Sequence, residues 1–263
     1  QRERAAMSNA IAEPRHVLIT GGSAGLGAAL AESYAAPGRI LSLSGRDAAR
    51  LAAVAERCRQ AGATVDTALR DVADRAAMAE WIAARDAAAP LDLVIANAGI
   101  SAGTGQGDES DDQAREILAV NLAGVLNTLA PALTALRGRG RGQAAVIASL
   151  AAFRGFPGAP AYCASKAAVR VWAEAQRPRL AAEGIGLSVV CPGFVRSRMT
   201  AVNAFPMPFL MDAEAAARRI RRGLARDRAR ISFPWPLAAA VWALAALPPG
   251  WSDALLRRLP AKD

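Results

Sequence analysis

The chain has 263 residues, of which 53% are hydrophobic, 5% aromatic and 21% charged, and its formal net charge is +9. This length and composition suit one large α/β domain and exclude a disordered chain. Three scattered cysteines, Cys58, Cys163 and Cys191, give neither a disulfide framework nor metal-ligand spacing, so a reducing cytoplasmic location and no metal are expected.

From residue 16 onward, short apolar runs alternate with longer helical patterns. Strands are predicted at 16–20, 40–44, 64–69, 91–96, 144–149, 186–191 and 229–233. Helices are predicted at 25–36, 47–61, 74–88, 112–136, 162–183 and 212–226. Strands that are apolar throughout and separated by helices indicate a parallel sheet covered on both faces. The predicted fold is therefore a single-domain α/β structure of Rossmann type, a doubly wound parallel sheet of about seven strands.

The domain is predicted to span residues 14–235. Residues 1–13 are expected to be a flexible N-terminus or a cloning remnant, and residues 236–263 an apolar helical extension. The single histidine, His16, opens the first apolar run, where a buried structural role is expected. No apolar run reaches the roughly 20 residues that a membrane-spanning helix needs.

The first turn, TGGSAGLG at 20–27, lies between the first strand and the first helix. Its glycines permit a tight turn and a close approach of the backbone to a pyrophosphate at the helix N-terminus. The candidate cofactor contacts in this turn are Gly21, Ser23, Ala24, Gly25, Leu26 and Gly27.

The second strand is followed by Gly45, Arg46 and Asp47. A protein that selects NAD usually offers a carboxylate at this point to the ribose hydroxyls. A guanidinium suits a 2′-phosphate instead, so Arg46 favours NADP(H) over NAD(H). Asp47 is assigned as the N-cap of the next helix.

Two further strand ends carry candidate cofactor contacts. After the third strand, Asp71 is placed to accept from the adenine amino group and Val72 to supply a backbone contact. After the fourth, the small residues Asn97, Ala98 and Gly99 let a ribose approach the backbone. Turn formation alone is the alternative for both segments, because these residue types favour turns.

Tyr162 and Lys166 lie one helical turn apart, so their side chains share a face. A phenol has an ordinary pKa of about 10, and a nearby ammonium group is expected to lower it towards neutrality. An accidental pair on a solvated helix face is the alternative.

These motifs, with Asn121, Ser149 and PGFVRS at 192–197, together resemble the short-chain dehydrogenase/reductase family over about residues 14–235. The resemblance implies that Tyr162 is the general acid or base and that Lys166 lowers its pKa and binds the nicotinamide ribose. It implies that Ser149 polarises the substrate oxygen and that Asn121 holds a water linking Lys166 to solvent. The further cofactor contacts that it implies are Pro192, Gly193, Val195 and Ser197. A local turn for Ser149 and a helix-to-strand tie for Asn121 are the structural alternatives.

The chain departs from the family pattern at three places. Ser197 stands where the family often has threonine. Pro178 predicts a kink in the catalytic helix, which commonly forms a subunit interface, so either a homodimer or a homotetramer is expected. The third departure is the tail beyond residue 235.

An apolar segment after residue 195 is expected to cover the substrate. The candidate substrate contacts are Phe153, Phe156, Phe205, Met207 and Phe209. They favour a hydrophobic ketone or alcohol, such as a lipid-like or 3-oxoacyl compound. Packing of this segment onto its own domain or onto a partner subunit is the alternative.

The tail carries Trp235, Trp242 and Trp251 and ends with Arg257 and Arg258, a combination that interfacial helices use. Contact of residues 236–258 with the inner membrane surface is therefore considered, against a dimer contact or a helix folded over the substrate mouth. No motif supports nucleic-acid binding by the scattered arginines. The predicted function is NADP(H)-dependent carbonyl reduction. A catalytically idle dinucleotide-sensing regulator is the alternative, and a sugar-nucleotide epimerase usually needs a larger region after residue 192.

Overall fold

Seven parallel strands form one sheet in the order β3-β2-β1-β4-β5-β6-β7. The computed structural model describes residues 9–101, 109–201, 206–248, 250–251 and 253. The strands are β1 His16–Ile19, β2 Ile40–Gly45, β3 Thr64–Leu69, β4 Leu93–Ala96, β5 Gly142–Ile147, β6 Ile185–Pro192 and β7 Arg230–Phe233. The predicted Rossmann-type sheet is confirmed, and each strand lies close to its expected position.

Helices cover both faces of the sheet. Within the described residues they are α1 Gly25–Tyr34, α2 Ala48–Gln60, α3 Arg75–Ala88, α4 Asp111–Leu118, α5 Gly124–Arg139, α6 Pro160–Ala182, α7 Arg198–Ala201, α8 Ala213–Leu224 and α9 Trp235–Ala246. Leu30, Val54 and Ile220 bring α1, α2 and α8 into one buried cluster, while α3, α5 and α6 contribute to the other. The sheet is therefore apolar on both faces, as its unalternated strands predict.

Side-chain caps fix where several helices begin. The Asp47 carboxylate accepts from the Arg50 backbone N–H at 2.9 Å, which confirms the predicted N-cap of α2. Asp74 caps α3 in the same way, accepting from Ala77 at 3.0 Å. Each cap satisfies a backbone donor that the first helical turn leaves unpaired.

The predicted helix at 112–136 is interrupted in the structure. A π-helical turn, Ala119–Ala123, separates α4 from α5. Such wide turns often occur at functional sites, and Asn121 lies within this one. Counted through the π-helical turn, the helical segment Asp111–Arg139 has 29 residues and is long and apolar enough to cross a membrane, contrary to the sequence-based expectation. Half of its most apolar 18-residue window is buried within the domain.

Helix α6 continues past Pro178 to Ala182, so the proline does not divide it. The adjacent Arg177 guanidinium donates to the Asp227 carboxylate at 2.9 Å. Asn9 also binds here, since its backbone N–H donates to Asp227 at 3.2 Å and its side chain to the Ala181 carbonyl at 3.0 Å. The folded domain therefore includes Asn9, which the sequence analysis placed in a flexible terminus.

His16 has the structural role that was expected. It is buried, and its ring nitrogens lie 2.8 Å from the Ala89 carbonyl and 2.9 Å from the Ser42 hydroxyl. Burial lowers its pKa, because the charged imidazolium is poorly solvated there. His16 thus joins β1, β2 and the end of α3.

The buried pair of Arg177 and Asp227 gives a stability prediction. The Asp227 side chain is only 2% exposed, so Arg177→Met leaves a carboxylate buried without its cation. We expect a loss of about 3 kcal/mol in the free energy of unfolding, measured by urea denaturation. Arg179→Met, which removes a largely exposed cation from the same helix, is the control and should leave the midpoint nearly unchanged. Equal midpoints for the two variants would contradict the prediction.

Candidate active site

The carboxyl ends of β1, β4, β5 and β6 open into one cavity of about 880 Å³. The strand order reverses between β1 and β4, and doubly wound sheets bind ligands at such a switch point. The structure places every residue proposed above as a cofactor contact in the lining of this cavity.

The glycine turn packs against the turn after β4. A Cβ on Gly27 would lie 2.1 Å from the Gly21 carbonyl oxygen, and one on Gly21, at φ +67°, would lie 2.8 Å from the Ala98 Cα. The Asn97 amide donates to the Thr20 carbonyl at 2.9 Å. Side chains on these glycines would therefore separate the two turns and deform the cavity floor.

Arginines gather at one end of the cavity, where β2 and β3 finish. Arg46 has only a distant ion pair, 3.9 Å from Glu116, whereas Arg50 lies 2.9 Å from Asp47. The Arg70 backbone N–H donates to the Gly45 carbonyl at 3.1 Å, which places Arg70 beside Arg46. The Arg70 Nε is buried and has no hydrogen-bond partner among the described residues. Asp47 and Asp71 also line this end, and of the three arginines Arg70 alone has no ion pair among the described residues, although its guanidinium donates to the Leu69 carbonyl at 3.1 Å.

Sequence reasoning found Arg46 but missed Arg50 and Arg70. A strand-end or helical arginine in an arginine-rich chain looks like any other surface cation. Only the alignment of β3 with β2 shows that Arg70 adjoins the predicted phosphate-binding residue.

Ser149, Tyr162 and Lys166 meet at the other end of the cavity. Ser149 follows β5, and its side chain hydrogen-bonds to that of Tyr162 on α6. The Ser149 hydroxyl also accepts from the Ala151 backbone N–H at 3.1 Å, so it makes the local turn as well. The buried Lys166 ammonium donates to the Ile147 carbonyl at 2.9 Å and lies 5.8 Å from the centre of the Tyr162 ring.

Burial sets the ionisation of this pair. It raises the pKa of the Tyr162 phenol, and the hydrogen bond from Ser149 only partly opposes that shift. It lowers the pKa of Lys166 to about 8. Burial thus moves the pKa of Tyr162 upward, in the direction opposite to the lowering expected from Lys166.

Asn121 lies behind the cavity wall. Its Oδ1 accepts from the Ile100 N–H at 2.8 Å, and its Nδ2 donates to the Ile100 carbonyl at 2.8 Å and to the Ser165 hydroxyl at 3.1 Å. These contacts match the structural alternative, a tie between the π-helical turn and the segment after β4. A Cβ on Gly99 would lie 3.2 Å from both Asn121 Oδ1 and Lys166 Nζ, so glycine is needed where they approach.

The predicted substrate contacts differ in their position relative to the cavity. Phe156 lines the cavity, but Phe153, Met207 and Phe209 do not, and Phe205 lies outside the described residues. The guanidinium groups of Arg170 and Arg230 lie over the Phe153 ring instead, with their central carbons 4.6 and 5.2 Å from the ring centre. Phe209 lies in a turn at φ 59° and is exposed. The apolar lining instead includes Leu150, Met199, Pro206, Leu237 and Val241.

The family model for short chain dehydrogenases matches residues 15–205. The chain belongs to the short-chain dehydrogenase family. An uncharacterized oxidoreductase of Myxococcus xanthus is 41% identical to it over 181 residues, covering 68% of this chain and 72% of the relative. An uncharacterized oxidoreductase of Mycobacterium tuberculosis is 34% identical over 236 residues, covering 87% of this chain and 93% of the relative.

A solved short-chain dehydrogenase from Sphingobium yanoikuyae, in complex with NADPH, superposes with a TM-score of 0.78. It is 26% identical, and the match covers 93% of this chain and 96% of that structure. The cavity fits the dinucleotide of a short-chain dehydrogenase by its own residues. The glycine turn leaves no room for side chains where a pyrophosphate approaches, and Arg70 offers a buried unpartnered donor at the opposite end from Tyr162.

The burial of Lys166 gives a prediction that requires no turnover. Its lowered pKa means that the side chain is charged below about pH 8 and neutral above it. Because the sequence has only two lysines, protein labelled with 13C at lysine Cε gives a simple NMR spectrum. We expect one resonance to titrate near pH 8 and to disappear in Lys166→Arg. Titration of both resonances near the ordinary value of about 10.4 would contradict the prediction.

Proposed function

We propose that the protein is an NADP(H)-dependent oxidoreductase, which transfers a hydride between the nicotinamide and a carbonyl or secondary alcohol of a hydrophobic substrate. The observation that carries the proposal is the convergence of Ser149, Tyr162 and Lys166 in a cavity that also contains the glycine turn and the arginine cluster. When bound, the nicotinamide supplies or accepts the hydride.

Tyr162 is the general acid in reduction and the base in oxidation. Its raised pKa keeps the phenol protonated at neutral pH, so it holds the proton that a carbonyl oxygen needs. Ser149, which hydrogen-bonds to Tyr162, orients the substrate oxygen towards the phenol. Lys166, charged below about pH 8, stabilises negative charge that develops on Tyr162 and binds the nicotinamide ribose.

The water relay proposed for Asn121 needs a modified form. Both N–H groups of its side-chain amide are already used by Ile100 and Ser165. A water linking Lys166 to solvent would therefore find no free N–H on the Asn121 amide, which instead ties the π-helical turn to Ile100. Asn121 positions that turn.

A preference for NADP(H) is supported by the charge at the far end of the cavity. Arg46, Arg50 and Arg70 line that end, and the carboxylate typical of NAD-selective sheets is absent after β2, where Gly45 and Arg46 stand. The NADPH complex of the Sphingobium relative agrees with this choice.

A hydrophobic ketone or alcohol, such as a lipid-like or 3-oxoacyl compound, is supported by the lining near Tyr162. Leu150, Phe156, Leu237 and Val241 surround that end with apolar side chains. The rival, an idle dinucleotide-sensing regulator, has no use for a serine, tyrosine and lysine gathered at one point.

We also predict that the protein forms a homodimer or homotetramer and that it is located in the cytoplasm. A further prediction is that residues 236–258 contact a membrane surface. The exposed Trp235, Trp242 and Trp251 favour membrane contact, and sedimentation with anionic vesicles tests it: protein that stays in the supernatant would refute it.

Replacing the phenol tests the proposed reaction. Tyr162→Phe should bind NADPH as the wild type does. Its rate of ketone reduction should fall at least about 100-fold, because the proton donor is gone. Turnover is followed by NADPH absorbance over a series from short polar ketones to long-chain 3-oxoacyl compounds. Tyr34→Phe, at the other tyrosine, is the control and should keep its activity. Undiminished turnover in Tyr162→Phe would remove Tyr162 as the acid, and a wild type inactive on every ketone would favour the regulator.

Replacing the arginines tests the cofactor preference. Arg46→Asp should move the preference towards NADH, and Arg70→Ala should weaken NADPH about 10- to 100-fold while leaving NADH binding nearly unchanged. Dissociation constants for both nucleotides, from calorimetry, check this. Arg75→Ala, an exposed arginine at the start of α3, is the control. An unchanged preference in both variants would place the phosphate contact elsewhere.

A further inference from the structure

Helix α9 forms a wall of the cavity at its catalytic end. Leu237 and Val241 line the cavity. A Cβ on Gly193 would lie 2.9 Å from Leu237 Cδ2 and 3.5 Å from Leu150 Cδ1. Because Leu150 directly follows Ser149, and Gly193 directly follows β6, Leu237 lies next to the segment that carries Ser149.

The opposite side of α9 is held by a cluster of aromatic and arginine side chains. The Trp242 ring meets the Phe153 ring edge-on, with centroids 5.7 Å apart and planes inclined at 66°. The guanidinium carbons of Arg170 and Arg230 lie 4.6 and 5.2 Å from the centre of the Phe153 ring. Edge-on aromatic pairs and cations over aromatic rings are both attractive arrangements.

A carboxylate fixes the two arginines of this cluster. Glu174 on α6 accepts from Arg170 at 2.9 Å and from Arg230 Nε at 2.8 Å. The cluster therefore connects α9 to the catalytic helix, to β7 and to the turn that follows Ser149. A displacement of α9 would break contacts with all three.

We propose that α9 determines substrate selectivity: Leu237 and Val241 contact the apolar part of the substrate, and the contact of Trp242 with Phe153 positions that wall. The inference rests on the proposed function, because it assigns the substrate end of the same site. It also gives Phe153 a role other than the predicted substrate contact. Phe153 acts from behind the wall as a positioning residue, whereas the aliphatic face of α9 meets the substrate.

The alternative is that α9 only stabilises the domain. The two roles differ in what they do to substrates of different length. A wall residue affects the binding of long apolar ketones and spares short ones, because one lost methylene contact changes discrimination by about tenfold or more. A purely stabilising residue affects all substrates alike or only the unfolding temperature.

Ketone binding in the Tyr162→Phe background tests the proposal without turnover. Calorimetry with the NADPH complex gives dissociation constants for methyl ketones from butanone to dodecanone. In the Tyr162→Phe protein, affinity should rise with chain length. Adding Leu237→Ala or Val241→Ala should weaken dodecanone by about tenfold and leave butanone and NADPH nearly unchanged. Trp235→Ala is the matched control, since Trp235 belongs to the same helix but is 76% exposed.

The positioning contact is tested in the same way. Trp242→Ala should weaken dodecanone as the wall variants do, and Trp242→Phe, which keeps an aromatic edge for Phe153, should restore most of the affinity. Affinities that do not depend on chain length, or wall variants that weaken butanone and dodecanone equally, would overturn the proposal. Failure of the proposed function would give a different result. The wild-type protein, which retains Tyr162, would then bind ketones with the expected dependence on chain length but would not reduce them.

Discussion

The close contact between the glycine turn and the end of β4 is the constraint on which the site depends. A Cβ on Gly21 would lie 2.8 Å from the Ala98 Cα, and one on Gly27 would lie 2.1 Å from the Gly21 carbonyl oxygen and 2.5 Å from the Asn97 amide nitrogen, so a methyl group at either position would disturb this contact. Asn97 then joins the turns through its hydrogen bond to the Thr20 carbonyl. Because the neighbouring strand ends are fixed by the parallel sheet, this contact sets the distance between the two ends of the cavity. The arginines and the catalytic side chains are placed relative to it.

Tyr162 and Lys166 show how burial sets the ionisation of neighbouring side chains. A surface pair one helical turn apart would have a phenol with its pKa lowered by the ammonium group. In the folded protein both side chains lose water, so each is driven towards its neutral form and the two shifts run in opposite directions. The pair is therefore poised to keep a proton on oxygen and to release one from nitrogen more easily than in water. The burial of Tyr162 and Lys166, more than their spacing along the helix, sets their protonation states.

Much of the fold and the cofactor site could be predicted because both rest on local signals. Apolar runs predicted the strands. The residues directly after the strands predicted that Arg46, Asn97, Ser149 and the glycine turn line one cavity. The features that could not be predicted are contacts between segments distant in sequence. The adjacency of Arg70 to Arg46 depends on strand pairing, and the break at Asn121 depends on its hydrogen bonds to Ile100. The apolar character of the substrate end was expected from the aromatic residues, but its lining also includes aliphatic residues of other segments, among them Leu150, Leu237 and Val241.

Helix α9 begins at Trp235, well beyond the segment that matches the family model, which ends at residue 205. Under the proposed selectivity role of α9, the chemistry and the choice of substrate are encoded in separate stretches of the gene. With that division, changes confined to one short helix would alter which molecules are accepted while the proposed hydride-transfer residues stay intact. A lineage carrying this arrangement could diversify its metabolism by substitutions in a single helix.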